Sequence, residues 1–98
     1  MTAVADLVEP EALERLAAAT TLAAGRELAA ADRVHITIFG PLIVAARVDG
    51  PGRPSTALSA RGSTLRWSCT CRPGSGGAFC EHLVATAQVA WDRAPDRD

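Results

Sequence analysis

The period of hydrophobic and polar positions changes at residue 34, and that change divides the chain. Before it the spacing is helical. Pro10 suits a first helical position, Glu11 favours the positive end of a helix dipole, and Val8 and Leu13 are spaced as a hydrophobic staple. Leu13, Leu16 and Ala17 then fall on one face. Thr20 and Thr21 interrupt that face and are expected to cap a second helix, LAAGRELAAAD, with Leu22, Arg26 and Ala29 roughly aligned. Gly25 inside this helix costs about 1 kcal/mol relative to alanine, so its presence points to close approach by a neighbouring element.

From Val34 the pattern alternates. Val34, Ile36 and Ile38 are expected to face one way, His35 and Thr37 the other. Gly40-Pro41 breaks the run, after which Leu42, Val44, Ala46 and Val48 alternate with Ile43, Ala45 and Arg47. DGPGRP reads as a loop, Thr56, Leu58 and Ala60 mark a third strand, Arg61-Gly62-Ser63 a turn, and Thr64 to Cys71 a fourth strand. Consecutive short strands with tight turns predict an antiparallel meander. A helical period returns in HLVATAQVAW, with Val84, Ala87 and Trp91 at i, i+3 and i+7, and the tail RAPDRD is expected to fray. The chain has no internal repeats.

Composition sharpens this picture in two ways. Ninety-eight residues make one small domain, whose net stability is expected at roughly 5–15 kcal/mol. Alanine inflates the 48% hydrophobic content, and with two Phe, two Trp and no Tyr the chain has few large core side chains, so a further staple would help. The first residues lack the basic region and apolar run of a signal peptide, and no apolar stretch reaches the ~18–20 residues of a membrane span. An odd number of cysteines without such a signal argues for a reducing compartment, so the expected location is the cytoplasm, with no membrane partner. The net charge of −1 is unevenly spread: residues 1–32 carry six acids against two arginines, whereas residues 33–82 carry six arginines against Asp49 and Glu81.

The chemistry is concentrated in SCTCRPGSGGAFCEHLV, residues 68–84, which holds all three cysteines and one of two histidines. Cys69, Cys71, Cys80 and His82 form C-x-C, eight residues, C-x-H. Residues two apart on a strand point the same way, so Leu65, Trp67, Cys69 and Cys71 are expected to share a face. Leu65 and Trp67 would pack on the core while the strand end presents two sulfurs. The glycine-rich RPGSGGAF suits a loop that folds back, and it returns Cys80 and His82 at the start of the last helix, where backbone amides favour a thiolate. Three thiolates and one imidazole make a closed tetrahedral shell for one structural Zn²⁺. A Cys69–Cys71 or Cys71–Cys80 disulfide would leave a thiol and the histidine unexplained. Iron fits the mixed donor set less well than zinc. Catalytic zinc with Glu81 as base, a hydrolase, would need one ligand to withdraw.

These residues resemble the SWIM-type zinc finger, whose pattern is C-x-C, a variable spacer and C-x-H between a strand and a helix. Cys69, Cys71, Cys80 and His82 match its ligand positions one for one. LAAGRELAAADRVHITI is similar to the Gly-Arg-containing helix and strand that often precede the finger, and HLVATAQVAW to the helix that follows it, so the resemblance covers roughly residues 20 to 91. The expected organisation is an N-terminal helical extension over 1–19, a SWIM-type domain over 20–93 and a disordered tail over 94–98. The expected fold is α+β: N-terminal helices, a small antiparallel β-meander of three to four strands, a zinc-binding loop and a C-terminal helix. One departure is Glu81, where the family often has a basic residue between the last two ligands.

The resemblance implies a module for DNA binding or protein interaction in DNA transactions, with DNA, a helicase-like ATPase or another protein as partner and no small-molecule substrate. The chain is too short to add an ATPase, and its residues form no catalytic constellation, so the expectation is a non-enzymatic binding or accessory domain. Arg61, Arg66 and Arg72, with Arg53 and, across a meander, Arg47, are the candidate phosphate contacts. The alternative is a protein adaptor with a purely structural zinc, in which these arginines are ordinary solvated side chains. His35 reads as a surface residue.

Overall fold

The computed structural model of the chain describes residues 3–50, 52–72 and 76–93. Its elements run in the order α1 (Val4–Leu7), α2 (Pro10–Leu16), α3 (Ala19–Ala30), β1 (Val34–Phe39), β2 (Ile43–Val48), β3 (Ser55–Arg61), β4 (Thr64–Cys69) and α4 (Glu81–Arg93). The strands form one antiparallel sheet in the order β1-β2-β3-β4, the expected α+β meander with four members. The expected tail, 94–98, lies outside the described residues.

Helix α2 begins with Pro10 at its start, as its fixed φ favours. Thr20 and Thr21 do not cap α3. That helix starts at Ala19 behind Ala18, an extended residue that makes no side-chain cap. Burial of Leu22 and Gly25 sets the placement of α3, and the two threonines are carried in its first turn. The helix ends in a Schellman motif: the Arg33 N–H donates to the Leu28 carbonyl (3.1 Å) and the Asp32 N–H to that of Ala29 (3.2 Å), with Asp32 left-handed at φ 61°. This turn delivers the chain into β1.

Alternation holds along β2 and β3, where Val44, Ala46 and Val48 and then Thr56, Leu58 and Ala60 are buried. It fails in β1. Val34 and Ile36 pair with Val48 and Ala46, but Ile38 pairs with Ala45, so a bulge at Thr37 turns Ile38 to the other face. Ile38 is 49% exposed as a result. The fourth strand stops at Cys69, two residues short of the expected end, because Thr70 bends back to clamp the start of β3.

All the packing is on one face of the sheet. Helix α4 lies across it, touching every strand, with α3 against its other side and α1 against α4, β3 and β4. Leu83, Val84, Ala85, Thr86, Ala87 and Ala90 are accordingly all buried, while Trp91 is half-buried. The close approach expected at Gly25 is to α4: a Cβ there would stand 2.5 Å from Val84 Cβ and 2.8 Å from the Glu81 carbonyl oxygen. The first residues join the same core, with Val4, Val8 and Leu13 packed into the cluster of Leu58, Leu83 and Val84. The Val4 N–H also donates to Pro41 (2.7 Å), tying α1 to the β1–β2 turn. No helix among the described residues is long and apolar enough to cross a membrane.

Candidate metal centre

Both halves of the cysteine cluster are held by secondary structure. On β4, Leu65 and Trp67 are half-buried and Cys69 is buried, as the alternation requires. Beyond the strand, the Thr70 N–H donates to the Ser55 carbonyl (3.1 Å), and the Thr70 hydroxyl accepts from the Ser55 N–H (2.9 Å). This two-bond clamp fixes the backbone between Cys69 and Cys71. On the other half, the Cys80 carbonyl accepts from Val84 (3.0 Å), which makes Cys80 the residue that opens α4 and puts His82 in its first turn.

Trp67 joins the two halves. Its indole N–H donates to the Gly77 carbonyl (3.0 Å), and its ring meets Phe79 edge to face, with centroids 5.1 Å apart at 83°. Sequence reasoning assigned Trp67 to core packing and gave Phe79 no role. Together they fold the returning loop so that Cys80 arrives beside the strand end. A single signal was available in the sequence, an aromatic immediately before the third cysteine.

The donor atoms of Cys69, Cys71, Cys80 and His82 all lie within 4.8 Å of one another. Cys69 Sγ is 3.4 Å from Cys71 Sγ, and His82 Nδ1 is 3.8 Å from both Cys69 Sγ and Cys80 Sγ. A tetrahedral ion with bonds of about 2.0–2.3 Å holds its donors about 3.5–3.8 Å apart. Three of the six edges, at 3.4–3.8 Å, are close to that value and all lie within 4.8 Å, so the cluster could hold a metal ion. All three cysteines are free thiols, and the 3.4 Å separation is far beyond a disulfide bond.

Burial raises the pKa of Cys69 to about 12 and pushes that of Cys80 up as well. The backbone N–H groups of Cys71 and Leu83, directed at those two sulfurs, act in the opposite sense by favouring the thiolates. Those amide hydrogen bonds favour the thiolate form that a metal ion would bind. A buried hydroxyl pair supports the helix side. Thr86 donates to the His82 carbonyl (2.9 Å), leaving its oxygen to accept from Thr56 on β3 (2.6 Å). This link between sheet and ligand-bearing helix had no signal in the sequence, since it depends on two residues 30 positions apart.

An open cleft of about 380 Å³ runs up to the cluster, lined in part by Thr20, Thr21, Glu81 and His82. The arginines do not gather there. Arg61 and Arg66 are exposed near the β3–β4 turn, where Arg61 pairs with Thr64 and Arg66 with Ser59. Arg72 is exposed at the opposite end of the sheet, next to Cys71. Arg47 is exposed on β2, and Arg53 is in the β2–β3 loop at φ 41°. His35 is on the surface as expected, its Nε2 2.9 Å from Asp49 Oδ2, and that hydrogen bond holds the Asp49 carboxyl below its ordinary pKa.

No family model, curated protein or solved structure matches this chain. The class it defines rests on its own residues: an α+β domain with a Cys₃His cluster that could hold a metal ion.

Proposed function

We propose that the chain is a SWIM-type module in which Cys69, Cys71, Cys80 and His82 hold one structural Zn²⁺, and that it acts by binding, as a DNA-binding or accessory interaction domain in DNA transactions. The observation that carries the metal reading is the convergence of three sulfurs and one imidazole nitrogen within 4.8 Å of one another. Mixed sulfur and nitrogen donors favour zinc. Four protein donors complete its shell and leave no position for substrate, which supports a non-enzymatic role and weighs against hydrolysis with Glu81 as base. Free thiols committed to a metal belong in a reducing compartment such as the cytoplasm.

When bound, the ion supplies charge neutralisation for the thiolates and a crosslink between β4 and α4. The chain's own residues do the rest. Thr70 and the Ser55 backbone set the first pair of donors, Trp67 and Phe79 bring in the second, and the Thr56–Thr86 pair holds α4 in position on the sheet.

A specific observation favours a second reading, a protein adaptor with a purely structural zinc. Four large apolar side chains, Ile38, Phe39, Leu42 and Ile43, are exposed at the β1–β2 turn. The test is native mass spectrometry of the reduced chain with elemental analysis. One zinc per chain, with three thiol protons displaced, is expected, and a metal-free folded chain would overturn the proposal. Salt-titrated DNA binding by the loaded protein then separates the two readings. Direct phosphate contact predicts that replacing Arg61, Arg66 and Arg72 together lowers the slope of log K against log salt by about 2–3.

A further inference from the structure

Among the described residues, nothing covers the face of the sheet away from the helices. Residues that pair across antiparallel strands share a face, so the outward set follows from the register. One row is Ile38, Ala45, Ala57 and Ser68, and the row beside it is Ile43, Ser59 and Arg66. Every one of these positions is exposed or half-buried. The bulge at Thr37 puts Ile38 into this set, whereas Phe39, paired with Val44, and Leu42, next to Ile43, fall on the other face and are exposed at the sheet's end. The result is an apolar strip running from the β1–β2 turn into the middle of the outer face.

Arginines bracket the strip. Arg66 is two strands from Ile43, about 10 Å at ordinary strand spacing, and Arg61 is at the same end. Arg47 follows Ala45 by two residues on the same face of β2. None of the four strands contains an aspartate or glutamate. Asp6, Glu9, Glu11, Glu14, Glu27, Glu81 and Asp92 are exposed on the helical segments instead. The open face is therefore apolar with arginines beside it, and among the described residues its one nearby carboxylate is Asp49, already held by His35 at the far end of β2.

We infer that this face is a docking surface for an acidic amphipathic segment of a partner protein, one whose apolar side chains cover Ile38 and Ile43 while its carboxylates meet Arg61, Arg66 and Arg47. This rests on the reading of the chain as a binding module and deepens it by naming the surface and the partner's chemistry. Charge complementarity selects an acidic partner. The exposed isoleucines select a protein over a nucleic acid, because a phosphate backbone offers nothing to cover aliphatic surface and the face lacks the row of aromatics on which bases stack. The turn is also a stiff platform. The Gly40 N–H donates to the Ile43 carbonyl (2.8 Å), the Ala60 N–H to that of Leu42 (2.9 Å), and Val4 holds Pro41. Little ordering entropy remains for this side to lose on binding.

The test is selection of a displayed random 12-residue peptide library against the zinc-loaded full chain, followed by amide chemical-shift mapping of the selected peptides. Expected is a consensus of aliphatic or aromatic residues interspersed with Asp and Glu, with shifts concentrated in residues 38–47 and 57–68. Affinity should fall at least tenfold in Ile38→Ser/Ile43→Ser, and independently in Arg61→Glu/Arg66→Glu, while both variants retain one zinc and wild-type amide dispersion elsewhere. The inference is overturned by the absence of any consensus, by a basic or purely polar consensus, or by shifts mapping to the helical side. It is also overturned if a 20-nucleotide DNA shifts the same amides and its binding ignores the isoleucine changes. Zinc content is read separately, so failure of the metal reading and failure of the docking surface give different results.

Discussion

At one end of the sheet, β4 runs out into Cys69 and Cys71, and four donor atoms turn inward until all lie within 4.8 Å of one another. At the other end, about 20 Å away for a six-residue strand, the β1–β2 turn directs Ile38, Phe39, Leu42 and Ile43 outward. The first end gathers three thiols and an imidazole that could hold a metal ion. The second exposes groups that favour a core and is held rigid by backbone hydrogen bonds alone. Loss of a component should therefore be felt very differently at the two ends: the inward cluster is coupled to folding, and the outward strip only to what covers it.

The largest effect is expected from the cluster. Structural zinc in small finger peptides supplies ~10–16 kcal/mol of apparent binding energy, comparable with or above the roughly 5–15 kcal/mol of a whole small domain. Helix α4 carries His82, follows directly on Cys80 and also fills the centre of the core. Chelation, or Cys80→Ser, is thus expected to abolish the cooperative melting transition of the entire domain, read by circular dichroism. A sharp, unshifted transition after metal removal would break the contrast between the ends.

Gly25→Val tests how far the coupling reaches. The new side chain must displace Val84 or the Glu81 carbonyl, both on the first turns of α4. Destabilisation of about 1–3 kcal/mol is expected from overpacking. Because the displaced turn carries His82, weaker zinc retention in a competition titration should accompany it. A loss of stability with metal affinity unchanged would show that the helix contact and the cluster are independent.

The smallest effect belongs to the opposite end. Ile43→Ser removes an apolar side chain already 43% exposed, so thermal unfolding should place its stability within about 0.5 kcal/mol of the parent. A loss of several kcal/mol would mean that this turn belongs to the folding core, and the distinction between the two ends would fail.

What could be read in advance divides along similar lines. The alternation of Thr56, Leu58 and Ala60, the convergence of Cys69, Cys71, Cys80 and His82 and the tight approach at Gly25 were legible, because each leaves its mark within a short stretch of sequence. The bulge at Thr37 was not legible, since it arises from how β1 registers against β2 and nothing in VHITIF announces it. Thr20 and Thr21 were misleading because tertiary burial of Leu22 and Gly25 outweighs a capping preference worth about 1 kcal/mol. The central place of α4 was hidden by its small side chains: alanine and threonine around most of its circumference give a weak stripe, yet they let sheet and helices close on it from both sides.

That central place bears on how the chain leaves the ribosome. Residues 4–69 supply the whole sheet and every other described helix, but the helix they pack around is specified by residues 81–93. During synthesis the inner face of the sheet must wait, uncovered, until residues 81–93 have followed it out of the exit tunnel. Cys80 and His82 lead that segment, so the second pair of donors emerges just ahead of the helix that closes the core. On the proposed zinc reading, metal capture and core closure fall in the same interval, and a chain that meets no metal then is left with an apolar sheet open to aggregation.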